Sequence, residues 1–116
     1  RPAPGILDPP VVQCSLLRVR STSTGDSGNL IVFCGPDDNG PTGSGRSDLR
    51  LRFSTDETVS WHDGPLLHTG PAAYSDQVLV TKSELGVLFE CGDAGQKNAY
   101  QRIDFLRLPV DQILNP

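Results

Sequence analysis

Apolar and polar residues alternate along several stretches of the chain with the two-residue period that is typical of β-strands. The clearest stretch is 48–54, where Leu49, Leu51 and Phe53 fall on one face and polar residues fall on the other. The same pattern predicts further strands at 12–20, 29–34, 77–81, 86–90 and 101–108. Only residues 111–114 are expected to form a helical turn, because prolines bracket them.

Clusters of Gly, Pro, Asp and Asn separate the predicted strands, and these residue types favour turns. We expect turns at 24–28, 35–41, 63–65 and 92–95, and a hairpin connection at 82–84. The longest polar connection, 35–45, is either a solvated excursion or the rim of a binding site. Short strands with frequent turns predict an antiparallel all-β fold, and periodicity does not choose between a sandwich and a propeller.

Length and charge narrow the functional classes. The 116 residues match the usual size of one compact domain. The net charge of −4 argues against a nucleic-acid partner, because phosphate binding requires a dense basic patch. The apolar stretches are far shorter than the roughly 20 residues that span a bilayer, so no membrane span is predicted. The chain starts at Arg1 rather than at methionine, from which we expect a processed or truncated start.

The three cysteines, Cys14, Cys34 and Cys91, lack the spacing of a metal site. Each lies in or beside an apolar run, which favours small buried thiols within strands. One disulfide among them is the alternative interpretation. Nothing in the sequence indicates a cofactor or a metal.

Residues 54–61 read S-T-D-E-T-V-S-W. They resemble the Asp-box of sialidases and related β-propellers, S-x-D-x-G-x-T-W, with Thr58 and Ser60 in place of the glycine and the threonine. In such a turn, short side chains bond backbone amides while Trp61 packs beneath them, so the expected role is structural. A residue other than glycine at position 58 is expected to cost some stability if the turn requires positive φ.

Three further segments resemble sialidase patterns, in the order in which that family has them. The pair 70–76 and 85–92 reads G-P-A-A-Y-S-D and L-G-V-L-F-E-C-G, similar to G-P-x-x-Y-S-x-L followed by G-x-L-Y-E-x-G. Residues 45–54 are similar to R-x-x-L-x-x-R-x-S, and 12–18 to Q-G-S-x-x-R with Cys14 replacing the glycine. The resemblance covers nearly the whole chain, which is similar to the C-terminal part of an exo-α-sialidase.

The resemblance implies a six-bladed β-propeller, of which this chain would form about two antiparallel, four-stranded blades. Residues 1–66 would form one blade with the Asp-box at 54–61, and residues 67–116 a second, partial blade. Two blades cannot close a ring, and their open edges would leave backbone groups unpaired. The expected partner is therefore the N-terminal remainder of the same enzyme, with assembly of three copies as a less favoured route.

The resemblance also implies roles for three residues. Tyr74 matches the catalytic nucleophile, Arg46 matches the last of three arginines that clamp the substrate carboxylate, and Glu90 matches the acid that orients another of those arginines. A phenol suits this substrate because a carboxylate nucleophile would be repelled by the carboxylate of sialic acid, and arginine suits the clamp because its planar fork binds two oxygens. The plain alternatives are a tyrosine at the edge of the core, a loop arginine and a surface carboxylate. Arg50 and Arg52 are interpreted as solvated.

The catalytic set is incomplete in this chain. A sialidase also needs an aspartic acid as general acid, a glutamate that activates the tyrosine, and two more arginines, which the family places N-terminal to these segments. The glutamates here are Glu57, Glu84 and Glu90, and none has the context of that base.

We therefore expect the full enzyme to hydrolyse terminal α-linked sialic acid from glycoproteins, glycolipids or oligosaccharides by a retaining mechanism, and the isolated chain to be inactive. Such a substrate predicts an extracellular or lysosomal location. Two rival interpretations remain open. One is a non-catalytic Asp-box propeller module that binds glycans or proteins, and the other is a small β-sandwich interaction domain.

Overall fold

The computed structural model describes residues 14–37, 47–93, 95 and 98–115. Within them the chain is all-β, and its strands form an antiparallel meander in sequence order from β1 to β6. The elements are β1 (Ser15–Arg20), a 3₁₀ turn (Thr22–Thr24), β2 (Leu30–Pro36), β3 (Ser47–Ser54), β4 (His62–Thr81), β5 (Glu84–Cys91), β6 (Arg102–Pro109) and α1 (Val110–Leu114). The all-β fold class is confirmed, and the six strands form a curled, half-barrel sheet that is consistent with part of a propeller.

The alternation predicted for 48–54 is confirmed in β3. Leu49 and Leu51 are fully buried and Phe53 is nearly so, while Arg50 and Arg52 point to the other face. The core continues through side chains of the neighbouring strands and of α1, among them Val32, Leu85, Val87, Val110 and Ile113. One contiguous apolar cluster therefore holds the curled sheet and the short helix together.

β4 is the longest element and pairs with two different strands. Its first half pairs with β3, from Phe53↔His62 to Ser47↔Pro71, and its second half pairs with β5, from Ala72↔Cys91 to Thr81↔Glu84. The position predicted to divide two blades, between residues 66 and 67, lies inside this strand. The division into two blades stays a prediction.

The turn predicted at 63–65 is wrong, because these residues lie within β4. A Cβ on Gly64 would come within 2.8 Å of the Leu51 carbonyl oxygen, so glycine allows β4 to approach β3 closely. The pairing of β3 with β4 is irregular near Pro65, and strands tolerate proline at such irregular positions. The glycine and proline that predicted a turn thus allow a close and irregular contact between β3 and β4.

A polar junction ties the second half of β4 to β1 and β2. The Gln77 side-chain amide donates hydrogen bonds of 3.1 Å to the backbone oxygens of Ser15 and Val32. The Ser75 hydroxyl donates to the backbone oxygen of Cys34 at 3.2 Å. Because Gln77 and Ser75 are both buried, these bonds satisfy the Gln77 side-chain N–H groups and the Ser75 hydroxyl and tie β4 to β1 and β2, whereas Oε1 of Gln77 is buried without a hydrogen-bond partner among the described residues.

The turn at 54–61 is built from side chain-to-backbone hydrogen bonds, as the sequence predicted. The Ser54 hydroxyl accepts from the Thr58 amide at 2.9 Å and donates to the Asp56 carboxylate at 2.8 Å. The same carboxylate accepts from the Ser60 amide at 2.9 Å. Hydrogen bonds from Ser60, and then from Ser54, lower the pKa of Asp56 to about 2. The Trp61 ring lies edge-on to Phe33, with 6.4 Å between the ring centroids.

The expected strain at position 58 is present, since Thr58 has φ of 72°. A β-branched residue in this left-handed region costs of order 1–3 kcal/mol, whereas glycine adopts it freely but gains entropy in the unfolded chain. We expect Thr58→Gly to raise the free energy of unfolding by about 1 kcal/mol.

Urea unfolding of Thr58→Gly and of the matched variant Thr55→Gly measures this effect. Thr55 is exposed in the same turn and is not among the positive-φ residues. Its replacement should therefore lower stability slightly through chain entropy alone. A Thr58→Gly protein that is less stable than the unmodified chain would contradict the strain argument.

Candidate active site

Tyr74 and Glu90 lie next to each other on β4 and β5. The backbone N–H of Tyr74 donates a hydrogen bond to Oε1 of Glu90 at 3.2 Å. The Tyr74 side chain is 48% exposed, and Glu90 is half-buried. The structure therefore brings together two of the three residues that the resemblance singled out, and it leaves the phenol accessible to solvent.

A β-bulge produces this contact. Ala72 pairs with Cys91 and Ser75 pairs with Phe89, so Ala73 and Tyr74 together oppose Glu90 alone. Two residues facing one across an antiparallel pair define a bulge, which bends the strand and redirects side chains. Ala72, Ala73 and Ser75 are all buried, and Tyr74 is the residue in this stretch that projects outward.

Asp76 shares the outward face of β4 with Tyr74, two residues further on. Its side chain is exposed, and its Oδ1 accepts a hydrogen bond from the backbone N–H of Gln77 at 2.9 Å. Asp76 lies within the segment 70–76 that resembles a sialidase motif, but the resemblance implied no role for it. Strand alternation after Tyr74 was the signal that could have placed this second carboxylate on the same face.

Arg46 lies outside the described residues. Ser47, which follows it in sequence, starts β3 and pairs with Pro71, three residues before Tyr74 in β4. The prediction that the Arg46 guanidinium and the Tyr74 phenol open onto one cleft stays a prediction. The polar connection at 35–45 also lies mostly outside the described part of the chain.

The interpretation of Arg50 and Arg52 as solvated is wrong. Arg50 bonds Asp37 at 3.1 Å, and Arg52 bonds Asp63 at 2.9 Å and also lies 3.4 Å from Asp37. The Arg52 side chain is only 11% exposed. These two arginines therefore form a network of ion pairs that connects β3 to Asp37, just after β2, and to Asp63 in β4. Such a network fits a structural role.

The other two glutamates form ion pairs with arginines that lie on other strands. Glu57 forms a paired contact with the Arg18 guanidinium, with distances of 2.8 and 2.6 Å. Glu84, at the start of β5, bonds Arg107 of β6. Both carboxylates are therefore paired in the structure, Glu57 in the 54–61 turn and Glu84 at the start of β5.

Cys14, Cys34 and Cys91 form no disulfide in the structure, and Cys34 and Cys91 are buried while Cys14 is half-buried. Burial raises the pKa of the Cys34 thiol to about 12 and the pKa values of the other two thiols to about 11. Thiols of this kind stay protonated near neutral pH and are poor nucleophiles. The interpretation of the cysteines as small buried thiols is confirmed for Cys34 and Cys91.

The described segments contain neither a cluster of metal ligands nor a membrane-spanning helix. They contain no group of three or more His, Cys, Asp or Glu side chains arranged to hold a metal ion. In the same residues, no helix has the length and the apolar character that crossing a bilayer requires.

Comparison with known proteins adds independent support to the motifs. No family model matches the chain. Mouse Sialidase-3 is 38% identical over 60 residues, which make up 51% of this chain. The matched segment covers 14% of the length of that protein, so the chain corresponds to a small part of its relative. Together with the ordered motifs, this match relates the chain to the sialidase family.

Proposed function

We propose that this chain is the C-terminal part of an exo-α-sialidase, a glycoside hydrolase that releases terminal sialic acid with retention of configuration. The observation that carries the proposal is the exposed Tyr74, whose backbone N–H bonds Glu90, inside the segment that resembles the nucleophile motif. The similarity to mouse Sialidase-3 supports the same proposal. The substrates would be sialylated glycoproteins, glycolipids or oligosaccharides, which favours an extracellular or lysosomal location.

The proposed chemistry assigns each of the three residues one task. The Tyr74 oxygen bonds to the anomeric carbon while the glycosidic bond breaks, and the leaving oxygen takes a proton from a general acid. Water then displaces the tyrosine, which restores the original configuration. Arg46 would bind the substrate carboxylate in a planar fork, and Glu90 would hold a further arginine of that clamp.

The general acid, the base that activates Tyr74 and the remaining arginines would come from the N-terminal remainder of the enzyme. The outward face of β4–β6 supports such a partner. It is lined by large apolar side chains that are 39–66% exposed, namely Val78, Val80, Leu88, Ile103 and Phe105. Leu88 pairs with Phe105, and the Val80 and Phe105 side chains both approach Gly86 between them, so these residues form one continuous patch. Patches of this kind usually contact another protein surface.

A non-catalytic module that binds glycans or proteins is the second candidate. The hydrogen-bonded turn at 54–61 favours it, because such a turn stabilises a blade without any chemistry. This candidate requires no phenol at position 74. Turnover measurements therefore distinguish the two candidates.

The test is hydrolysis of a fluorogenic sialoside by the chain alone and by the chain coexpressed with the remaining blades of a sialidase propeller. We expect no turnover by the chain alone and turnover by the complemented protein. Phe105→Asn on the apolar patch should prevent complementation. Val59→Asn is the matched control, since Val59 is 82% exposed and lies outside the patch. A complemented, folded assembly without turnover would reject the sialidase proposal.

A further inference from the structure

The bulge in β4 contains a backbone N–H that regular pairing between β4 and β5 does not satisfy. The extra residue of a bulge has no partner in regular cross-strand pairing, and a backbone N–H without an acceptor is costly. Here the Tyr74 N–H donates to the side chain of Glu90, the residue directly opposite the bulge. A carboxylate acceptor makes this bond stronger than one between neutral groups.

We propose that Glu90 is a positioning residue for Tyr74, an inference that rests on the proposed function. Its Oε1 holds the backbone N–H of Tyr74 within the bulge, at the residue where the outward series of Tyr74, Asp76 and Val78 begins. The role of Glu90 toward an arginine needs only the second carboxylate oxygen. One side chain thus links the position of the nucleophile to the binding of the substrate carboxylate.

The bulge makes this link sensitive to small changes. A regular strand sets the direction of each side chain through ladder hydrogen bonds on both sides, whereas the direction of a bulged residue depends on its local contacts. A displacement of about 1 Å in a reacting group can lower a rate about a hundredfold. Loss of the Glu90 acceptor should therefore lower kcat without removing any atom from the reaction.

Two substitutions separate the acceptor from the charge. Glu90→Gln keeps an oxygen that can accept from the Tyr74 N–H but removes the negative charge, and Glu90→Ala removes both. Hydrogen exchange of the Tyr74 amide, followed by NMR at one pH, should accelerate by at least about tenfold in Glu90→Ala and much less in Glu90→Gln. The amide of Val87, at the buried centre of β5, serves as the folding reference.

Kinetics of the complemented enzyme give the second readout. We expect Glu90→Gln and Glu90→Ala to raise KM similarly, because both lose the charge, and Glu90→Ala alone to lose an additional factor of at least about ten in kcat. Glu84→Gln and Glu84→Ala are matched controls, since Glu84 lies on the same strand and bonds Arg107 instead. Equal kcat values for the two Glu90 variants, or unchanged Tyr74 exchange in Glu90→Ala, would overturn the inference.

The two readouts keep this inference distinct from the proposed function, because the exchange measurement needs no activity. If Tyr74 exchange depends on Glu90 but Tyr74→Phe retains turnover, the contact stands and the assignment of Tyr74 as the nucleophile fails. If Tyr74→Phe abolishes turnover but the two Glu90 variants have equal kcat, the sialidase proposal stands and the positioning role fails.

Discussion

Tyr74→Phe is expected to lower kcat/KM of the complemented enzyme for a sialoside by at least about a thousandfold, since no oxygen remains to form the tyrosyl intermediate. The ring and its packing are retained, and the side chain is 48% exposed, so the melting temperature should stay within the range of a neutral surface substitution. A large loss of rate with unchanged stability is the result that a nucleophile predicts. Initial-rate kinetics and thermal unfolding of the same preparation measure both quantities.

The chain supplies a matched control for this substitution. Its second tyrosine, Tyr100, is 55% exposed, close to the value for Tyr74, and lies outside the segments that resemble sialidase motifs. Tyr100→Phe should leave both turnover and stability near those of the unmodified protein. Turnover that survives in Tyr74→Phe would reject the assignment of Tyr74 as the nucleophile.

Gly92→Ala is expected to lower the free energy of unfolding by about 3 kcal/mol, the upper end of the usual cost of overpacking. A Cβ at Gly92 would lie 1.8 Å from the backbone oxygen of Asn98, so the backbone itself would have to move. That movement is opposed from the other side. The Gly92 amide donates to the Pro71 oxygen at 2.9 Å, and the Gly92 oxygen bonds Nε2 of His68 at 2.8 Å.

Urea unfolding of Gly92→Ala and Gly28→Ala measures this effect against a control. Gly28 has open space where its Cβ would lie, and its φ is not in the left-handed region. Its replacement should change the free energy of unfolding by no more than about 0.5 kcal/mol. A similarly small change in Gly92→Ala would show that the segment near Asn98 adapts, and would contradict the close approach.

The parts of the fold that the sequence predicted are those in which one strand face is buried and the other is not. β3 is the clearest example, because the alternation of Leu49, Leu51 and Phe53 leaves only one face for the core. The hairpin after Thr81 was predicted because it lies between two apolar runs. The first half of β4 was missed, since Gly64 and its neighbours have the composition of a turn.

The candidate site was predictable only through resemblance. Periodicity does not distinguish Tyr74 from any tyrosine at the start of a strand, and a period of two cannot locate an inserted residue. The consecutive buried residues Ala72 and Ala73 became interpretable only with the cross-strand register that places both near the bulge. The contact between Tyr74 and Glu90 depends on that register, so no pattern within either segment could have given its geometry.

The double pairing of β4 has a consequence for how the molecule unfolds. The first half of this strand completes the ladder with β3, and the second half begins the ladder with β5. Gln77 also anchors the second half to β1 and β2. Because both ladders share β4, loss of the pairing with β3 or with β5 would weaken the other pairing as well. Partial unfolding is therefore unfavourable, and we expect a single cooperative transition.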